Sequence, residues 1–350
     1  MSTQHPEAGV TVSILPERAL EHVRLLELPA ELLALVTSEN PPILHLRSRE
    51  NLNGEAKDAN AVLCTPDKTY NVRQVSTSNS VYLTRPRGTA GDEGGLPQKA
   101  IEAVAKCDST LELVPAGKQS AVPYIKSTLP TFASTGSYGS AKSISRTELF
   151  SNIPLSQAEC EAGYQTLACF ESSDPQGCFI PSAKVKMQIW ETALTTAIAE
   201  GADLKDPYLA EDIPVFAMDL KEDWPLELIA AVFAGVSSPT PGGNLVIDED
   251  KCVHFVGLNL LEQRSAGRAT DVKDFLKAWK DTVPEAWRQK CEISAIQGWY
   301  KLQDNATSIS FIDGSSSTAE TPSGAKEEAK TALGAKRKWH EKFRASKKTA

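Results

Sequence analysis

The chain has 350 residues, 41% apolar and 23% charged, with a net charge of −8. These values describe an ordinary globular chain long enough for two or three domains. They exclude a polyanion binder acting by bulk charge, so any nucleic-acid contact must come from a local basic patch. No stretch approaches the ~18 apolar residues of a spanning helix, and Met1 to Pro16 lacks the apolar run of a secretory leader.

The first third reads as β-rich. Thr11 to Leu15 and His22 to Leu28 are apolar segments, and Pro29 opens a short helix whose Leu32, Leu33 and Val36 share a face. Ile43 to Arg47 alternates as a strand, and residues 48–60 form a charged loop. Val62 to Cys64 is a β-branched strand, followed by turn chemistry at Pro66-Asp67-Lys68. From Tyr70 the pattern alternates again. Ser76 to Asn79 reads as a second turn and Ser80 to Leu83 as a third strand, which together predict an antiparallel meander. Arg85 to Gly95 reads as a glycine-rich insert. Gln98 to Cys107 shows a helical face in Ile101, Val104 and Ala105, and Thr110 to Val114 alternates as a strand. By its residues alone this region is a small β-domain, either closed on itself or completed by a partner.

Residues 116–145 are rich in Pro, Gly and Ser and predict a linker. Beyond them the pattern turns helical and repeats at roughly 60 residues. Each unit runs helix, short helix, turn, helix and β-hairpin, which fits either the plan of a winged helix or an irregular helical domain. The expected units are 146–183, 184–247 and 248–312. In the first, Ser156 and Glu159 form a capping box. In the third, Pro284 precedes a helix carrying Arg288 and Lys290, and a hairpin turns at Asp304-Asn305. Residues 313–350 predict a disordered linker and a basic tail with Lys336, Arg337 and Lys338 near Trp339.

Catalytic and metal chemistry find little support. Gly117-Lys118 lacks the P-loop's first glycine, because Glu112 stands there, and lacks its Ser or Thr, because Gln119 follows. The five histidines have no second ligand at helical spacing. The seven cysteines are odd in number, lack CxxC spacing and predict reduced thiols. No cofactor is implied and no enzyme is expected.

Val62-Leu63-Cys64-Thr65-Pro66-Asp67-Lys68-Thr69-Tyr70, then Val72-Arg73 and Ser78-Asn79-Ser80, resembles the signature of one family. It is the Dcc ("defective in sister chromatid cohesion") subunit of the alternative replication factor C clamp loader. Leu25 to Pro29 fits as well. The resemblance is close over 22–84 and continues as spacing to about 312. It implies an α+β fold: an N-terminal β half-barrel over 1–115 completed by partner subunits, then tandem winged-helix-like domains. The implied partners are a small clamp-loader subunit, the C-terminal tail of the large subunit, DNA polymerase epsilon and DNA bound without sequence preference, all in the nucleus. The implied partner-binding positions are Val62, Leu63, Cys64, Tyr70, Val72, Val81, Tyr82 and Leu83.

The charged residues nominate a DNA face in the third unit: Lys273, Lys277, Lys280, Arg288, Lys290 and Lys301, with Lys336, Arg337 and Lys338 in the tail. The alternative is a chromatin or transcription regulator with a dimerisation barrel, which would need base-reading side chains on a recognition helix.

Overall fold

A computed structural model describes residues 11–14, 20–21, 23–48, 61–87, 100–117, 119–133, 144–213, 224–265 and 268–312. The loop expected after residue 48, the glycine-rich insert beyond Arg87, residues 214–223 and the basic tail lie outside them. Among the described residues no helix is long and apolar enough to cross a membrane.

The N-terminal region is a curled half-barrel. Its strands are β1 (Thr11–Ile14), β2 (Leu25–Glu27), β3 (His45–Ser48), β4 (Ala61–Cys64), β5 (Thr69–Arg87) and β6 (Ala100–Pro115), and helix α1 (Ala30–Val36) follows β2. The order is β1-β6-β5-β4-β3, with β2 beside β1 along the same edge of β6. β5 and β6 form a long antiparallel hairpin, and β1 and β2 both run parallel to β6.

Two sequence expectations are corrected here. The turn expected at Ser76 to Asn79 is an irregularity within one continuous strand, where the register of β5 slips against β6 between Ser76 and Val81. A bulge bends a strand without reversing it. The helix expected at Gln98 to Cys107 is the first half of β6. Ala103, Ala105 and Cys107 are buried while their neighbours are more open, a period of two that small residues disguised.

The expected linker also contains structure. Helix α2 (Val122–Thr128) and strand β7 (Thr131–Phe132) pack with the helices that follow, α3 (Arg146–Asn152) and α4 (Gln157–Thr166). Ala121, Val122, Ile125 and Leu129 are buried in one cluster with Leu149, Leu155, Tyr164 and Ile180. The hairpin β8 (Phe170–Ser173) and β9 (Gln176–Pro181) closes the group, and β7 pairs with β9. Next come α5 (Ala183–Glu200), a bridge from Tyr208 to Leu245, α6 (Leu226–Val236), and hairpin β10 (Ser237–Pro239) and β11 (Leu245–Ile247). The last group has α7 (Glu249–Ser265), β12 (Thr270–Asp271), α8 (Val272–Asp281), two 3-10 turns (Glu285–Lys290 and Ile293–Ile296), β13 (Tyr300–Gln303) and β14 (Ser308–Phe311). The helix expected after Pro284 is thus a pair of 3-10 turns. In each group the early strand or bridge meets the last strand of the hairpin.

The second and third groups share one core, which also takes Phe132, Phe170 and Phe179 of the first. Trp190 of α5 donates its indole N–H to the Thr282 carbonyl at 2.8 Å, tying the second group to the third. Trp279 donates to the Val253 carbonyl at 3.1 Å and lies flat against Gly257, where a methyl would overlap its ring. By contrast, among the described residues the buried cluster that the six-stranded sheet forms with α1 is Leu32, Leu63, Tyr70 and Leu113.

One charge lies inside this packing. Lys186 of α5 is 5% exposed, with Glu262, Cys169 and Lys126 in its surroundings but no salt bridge within 4 Å among the described residues. Burial pulls its pKa below the ordinary lysine value. The unfolded chain therefore binds the proton more tightly than the folded one, and the penalty fades as pH rises toward the unfolded value. Lys186→Met is expected to raise Tm at neutral pH, with an advantage over wild type that shrinks between pH 8 and pH 10.5. Calorimetry across that range checks it, and a constant or growing advantage would contradict it.

Candidate partner interface and basic face

The β4–β5 turn is held from both faces. Thr65, Pro66, Asp67 and Lys68 make a tight turn: Thr65 Oγ1 donates to Asp67 Oδ1 at 2.8 Å, and the Lys68 N–H donates back to Thr65 Oγ1 at 2.9 Å. Because side chains alternate across a strand, Thr69 and Tyr70 point to opposite sides. Tyr70 is buried toward α1 and donates its hydroxyl to Glu31 Oε1 at 2.7 Å. Lys68 bonds the other oxygen at 2.6 Å. The Lys68 and Tyr70 hydrogen bonds lower the Glu31 pKa, while burial first and Glu31 second push the Tyr70 phenol up to about 12.

On the other side the turn caps a helix. The first N–H groups of a helix have no partner within it. At α4 the Ala158 N–H donates to the Pro66 carbonyl at 2.9 Å, and the Glu159 N–H donates to Ser156 Oγ. The Ser156 N–H donates to Thr69 Oγ1 at 2.8 Å, and that hydroxyl donates onward to Glu159 Oε2 at 2.5 Å. The same carboxylate oxygen accepts from the Ser156 hydroxyl and N–H, which completes the expected capping box. From β3, Arg47 Nη1 donates to the carbonyls of Phe150, Ile153 and Leu155 at the end of α3 and the turn after it. The sheet therefore caps the C-terminus of α3 and the N-terminus of α4.

The predicted interface residues divide by burial. Val62, Leu63, Cys64 and Tyr70 are buried by this chain, and Val72 and Leu83 are half-buried. Val81 and Tyr82 are exposed, each at 42%. Sequence reasoning missed the other apolar positions open to solvent on the same sheet, Val12, Ile14, Leu26, Leu46 and Val114, and Ile43 just before β3. Among the described residues thirteen large apolar side chains are exposed, and nine of them lie between Val12 and Val114.

Across the molecule, α8 buries Phe275 and Trp279 and exposes Lys273, Lys277 and Lys280. Their spacing of four and three residues puts them on one face. Arg288 is exposed and bonds the Lys280 carbonyl at 3.0 Å, so it stands beside that row. Lys301 is exposed on β13. Lys290 is spoken for: it bonds Asp250 at 2.7 Å and lies 3.4 Å from Glu249. Lys336, Arg337 and Lys338 lie outside the described residues. All seven cysteines are free and buried, and among the described residues no group of His, Cys, Asp or Glu is gathered to hold a metal.

The family model for sister chromatid cohesion protein Dcc1 matches residues 23–319. The chain belongs to this family. Membership supports a role in sister chromatid cohesion. No curated protein matches the chain.

At the junction, Thr69→Val keeps the shape but removes two hydrogen bonds of the hydroxyl, the one it accepts from the Ser156 N–H and the one it donates to Glu159, leaving the Ser156 N–H with Glu159 Oε2 alone. Two such bonds at ~0.5–1.5 kcal/mol each amount to ~1–3 kcal/mol. Denaturant unfolding is expected to show a loss of that order, whereas a loss below ~0.5 kcal/mol would mean the hydroxyl does not link the turn to α4.

Proposed function

We propose that this chain is a non-catalytic accessory subunit of a replication factor C-like clamp loader, working in the nucleus. Its half-barrel docks to partner subunits and its helical groups reach DNA and the leading-strand polymerase. The carrying observation is the unfinished sheet. Among the described residues its buried cluster with α1 is Leu32, Leu63, Tyr70 and Leu113, while Ile43 and Leu46 at one edge are 77% and 70% exposed and Val12 and Ile14 at the other are 56% and 61% exposed. Apolar surface of this kind marks an interaction site, and the resemblance of the turn motif to the Dcc family implies which partners cover it. Linking several weak contacts in one subunit raises effective concentration at the fork without bond chemistry.

The helical groups support winged-helix units. Each runs helix, strand or bridge, helix or helical turns, then hairpin, with the early strand meeting the last. Only the third keeps its second and third helical positions free beside lysines. In the first, α4 is docked under the β4–β5 turn and against α6. In the second, α6 buries Leu228, Ile229, Val232, Phe233 and Val236. We assign the DNA contact to the third group for that reason.

Light scattering of the full chain with the small partner subunit and the large subunit's C-terminal tail is expected to give a 1:1:1 complex. A chain that stays monomeric with both partners present would favour the chromatin-regulator reading. Binding to DNA is expected to be indifferent to sequence, with a log–log salt slope of roughly −3 for three or four neutralised phosphates. Replacing Lys273, Lys277, Lys280 and Lys301 with Ala should flatten that slope. An unchanged slope would remove this face as the DNA contact, and a strong preference for one duplex would support the regulator.

A further inference from the structure

The second helical group carries a pocket that neither the sheet nor the lysine face uses. Its volume is about 270 Å³, below the ~300–1,000 Å³ of ordinary small-molecule sites and suited to one large side chain. Trp190 and Leu194 of α5, Phe233 of α6 and Ile247 of β11 are buried and form the floor. Tyr208 makes one wall. Its hydroxyl shares a 2.6 Å hydrogen bond with Ser237, and its ring meets Phe233 edge-on with centroids 6.2 Å apart. The wall is thus fixed by contacts within the group. Two further apolar side chains stand open nearby: Ile198, one turn beyond Leu194, at 70% exposure, and Leu209, next to Tyr208, at 46%.

The rim is acidic. Asp203, Asp206 and Asp212 line it, and among the described residues no lysine or arginine does. Backbone groups fix two of the carboxylates: Asp203 Oδ1 accepts the Lys205 N–H at 2.9 Å, and Asp212 Oδ2 accepts the Leu209 N–H at 2.8 Å. An apolar hole beside three carboxylates selects a large apolar anchor with cations next to it. The chain itself contains such a segment outside the described residues. Residues 336–344 read Lys-Arg-Lys-Trp-His-Glu-Lys-Phe-Arg. Twenty-six residues separate Ile312 from Trp339. Their greatest reach is about 85 Å at ~3.3 Å per residue, roughly three times the length of α5, so length does not keep Trp339 from the pocket.

We propose that this pocket is the docking site of the chain's own residues 336–344. Trp339 is the anchor, because three cations precede it, and Lys336, Arg337 and Lys338 face Asp203, Asp206 and Asp212. A segment seated there has its charge answered within the chain, which leaves the DNA contact to the third group. The inference needs no partner subunit and so stands apart from the clamp-loader reading.

The test uses the full chain with Trp339→Ala/Phe343→Ala, which alters no described residue. The amides of residues 202–209 are expected to exchange at least ~5-fold faster in this variant than in wild type. A fluorescent peptide of residues 334–346 is expected to bind the variant, and to bind wild type at least ~5-fold more weakly, because the tethered segment competes at high effective concentration. In the variant background Asp206→Lys should weaken the peptide at least ~5-fold by like-charge repulsion. Asp206 is exposed, so circular dichroism and Tm should stay at their starting values. Ala197→Phe, which fills the pocket, should remove binding, and if that variant does not fold, Asp206→Lys decides. The peptide with Trp339→Ala should bind at least ~10-fold more weakly than its parent. Equal exchange in the two chains with no peptide binding overturns the proposal. So does binding that both Asp206→Lys and the Trp339→Ala peptide leave unchanged, which would place the contact elsewhere. Protection that grows with protein concentration, together with a dimer in light scattering, would give the pocket to a second copy's segment and overturn docking within one chain.

Discussion

A single turn, Thr65 to Lys68, holds the two halves of this molecule in register. Its Pro66 carbonyl and the hydroxyl of Thr69 behind it complete the N-terminus of α4, while Glu31 of α1 takes Tyr70 and Lys68 from the opposite face. A buried N–H or carbonyl without a partner is expensive, so the turn is hard to move once α4 is seated. The family signature coincides with this joint. Residues that a motif reading assigns to partner contact are, for Val62, Leu63, Cys64 and Tyr70, those that fix the sheet against the helices. The apolar surface left open to solvent belongs to their neighbours.

Local chemistry was the legible part of the sequence. Ser156 and Glu159 announced their capping box, Pro66 and Asp67 their turn, and Asp304-Asn305 the left-handed hairpin tip that both residues occupy with positive φ. The errors came where tertiary context overrides local preference. Ile101, Val104 and Ala105 fit a helical face as well as they fit a strand, and alanine favours helix. What makes them a strand is fourteen paired positions along β5, which no local window contains. The Ser76 to Asn79 run has turn composition, yet a bulge uses the same residues. Val122 to Phe132 was lost among Pro, Gly and Ser because its partners, Leu149 and Ile180, lie far along the chain.

The basic face shows the same limit. Spacing gave the row Lys273, Lys277 and Lys280, and the fold keeps that row open. Spacing had no means of showing that Lys290 closes onto Asp250 and Glu249 of α7. An exposed ion pair of this kind adds little stability, but it removes one positive charge from the face and leaves Arg288 beside the lysines.

The core is distributed unevenly between the sheet and the helices. The second and third helical groups share buried tryptophans at 190, 279 and 287 and stand on their own packing. The sheet has a small buried cluster, apolar residues at both edges and its firmest anchorage at the turn. β3 combines both properties within four residues: Leu46 is open to solvent while Arg47, next to it, grips three carbonyls around the end of α3. Whatever orders β3 also orders Arg47, and with it the end of α3 that precedes α4. The order of β3 and the seating of the first helical group are thus linked by one side chain, and by linkage whatever steadies one favours the other.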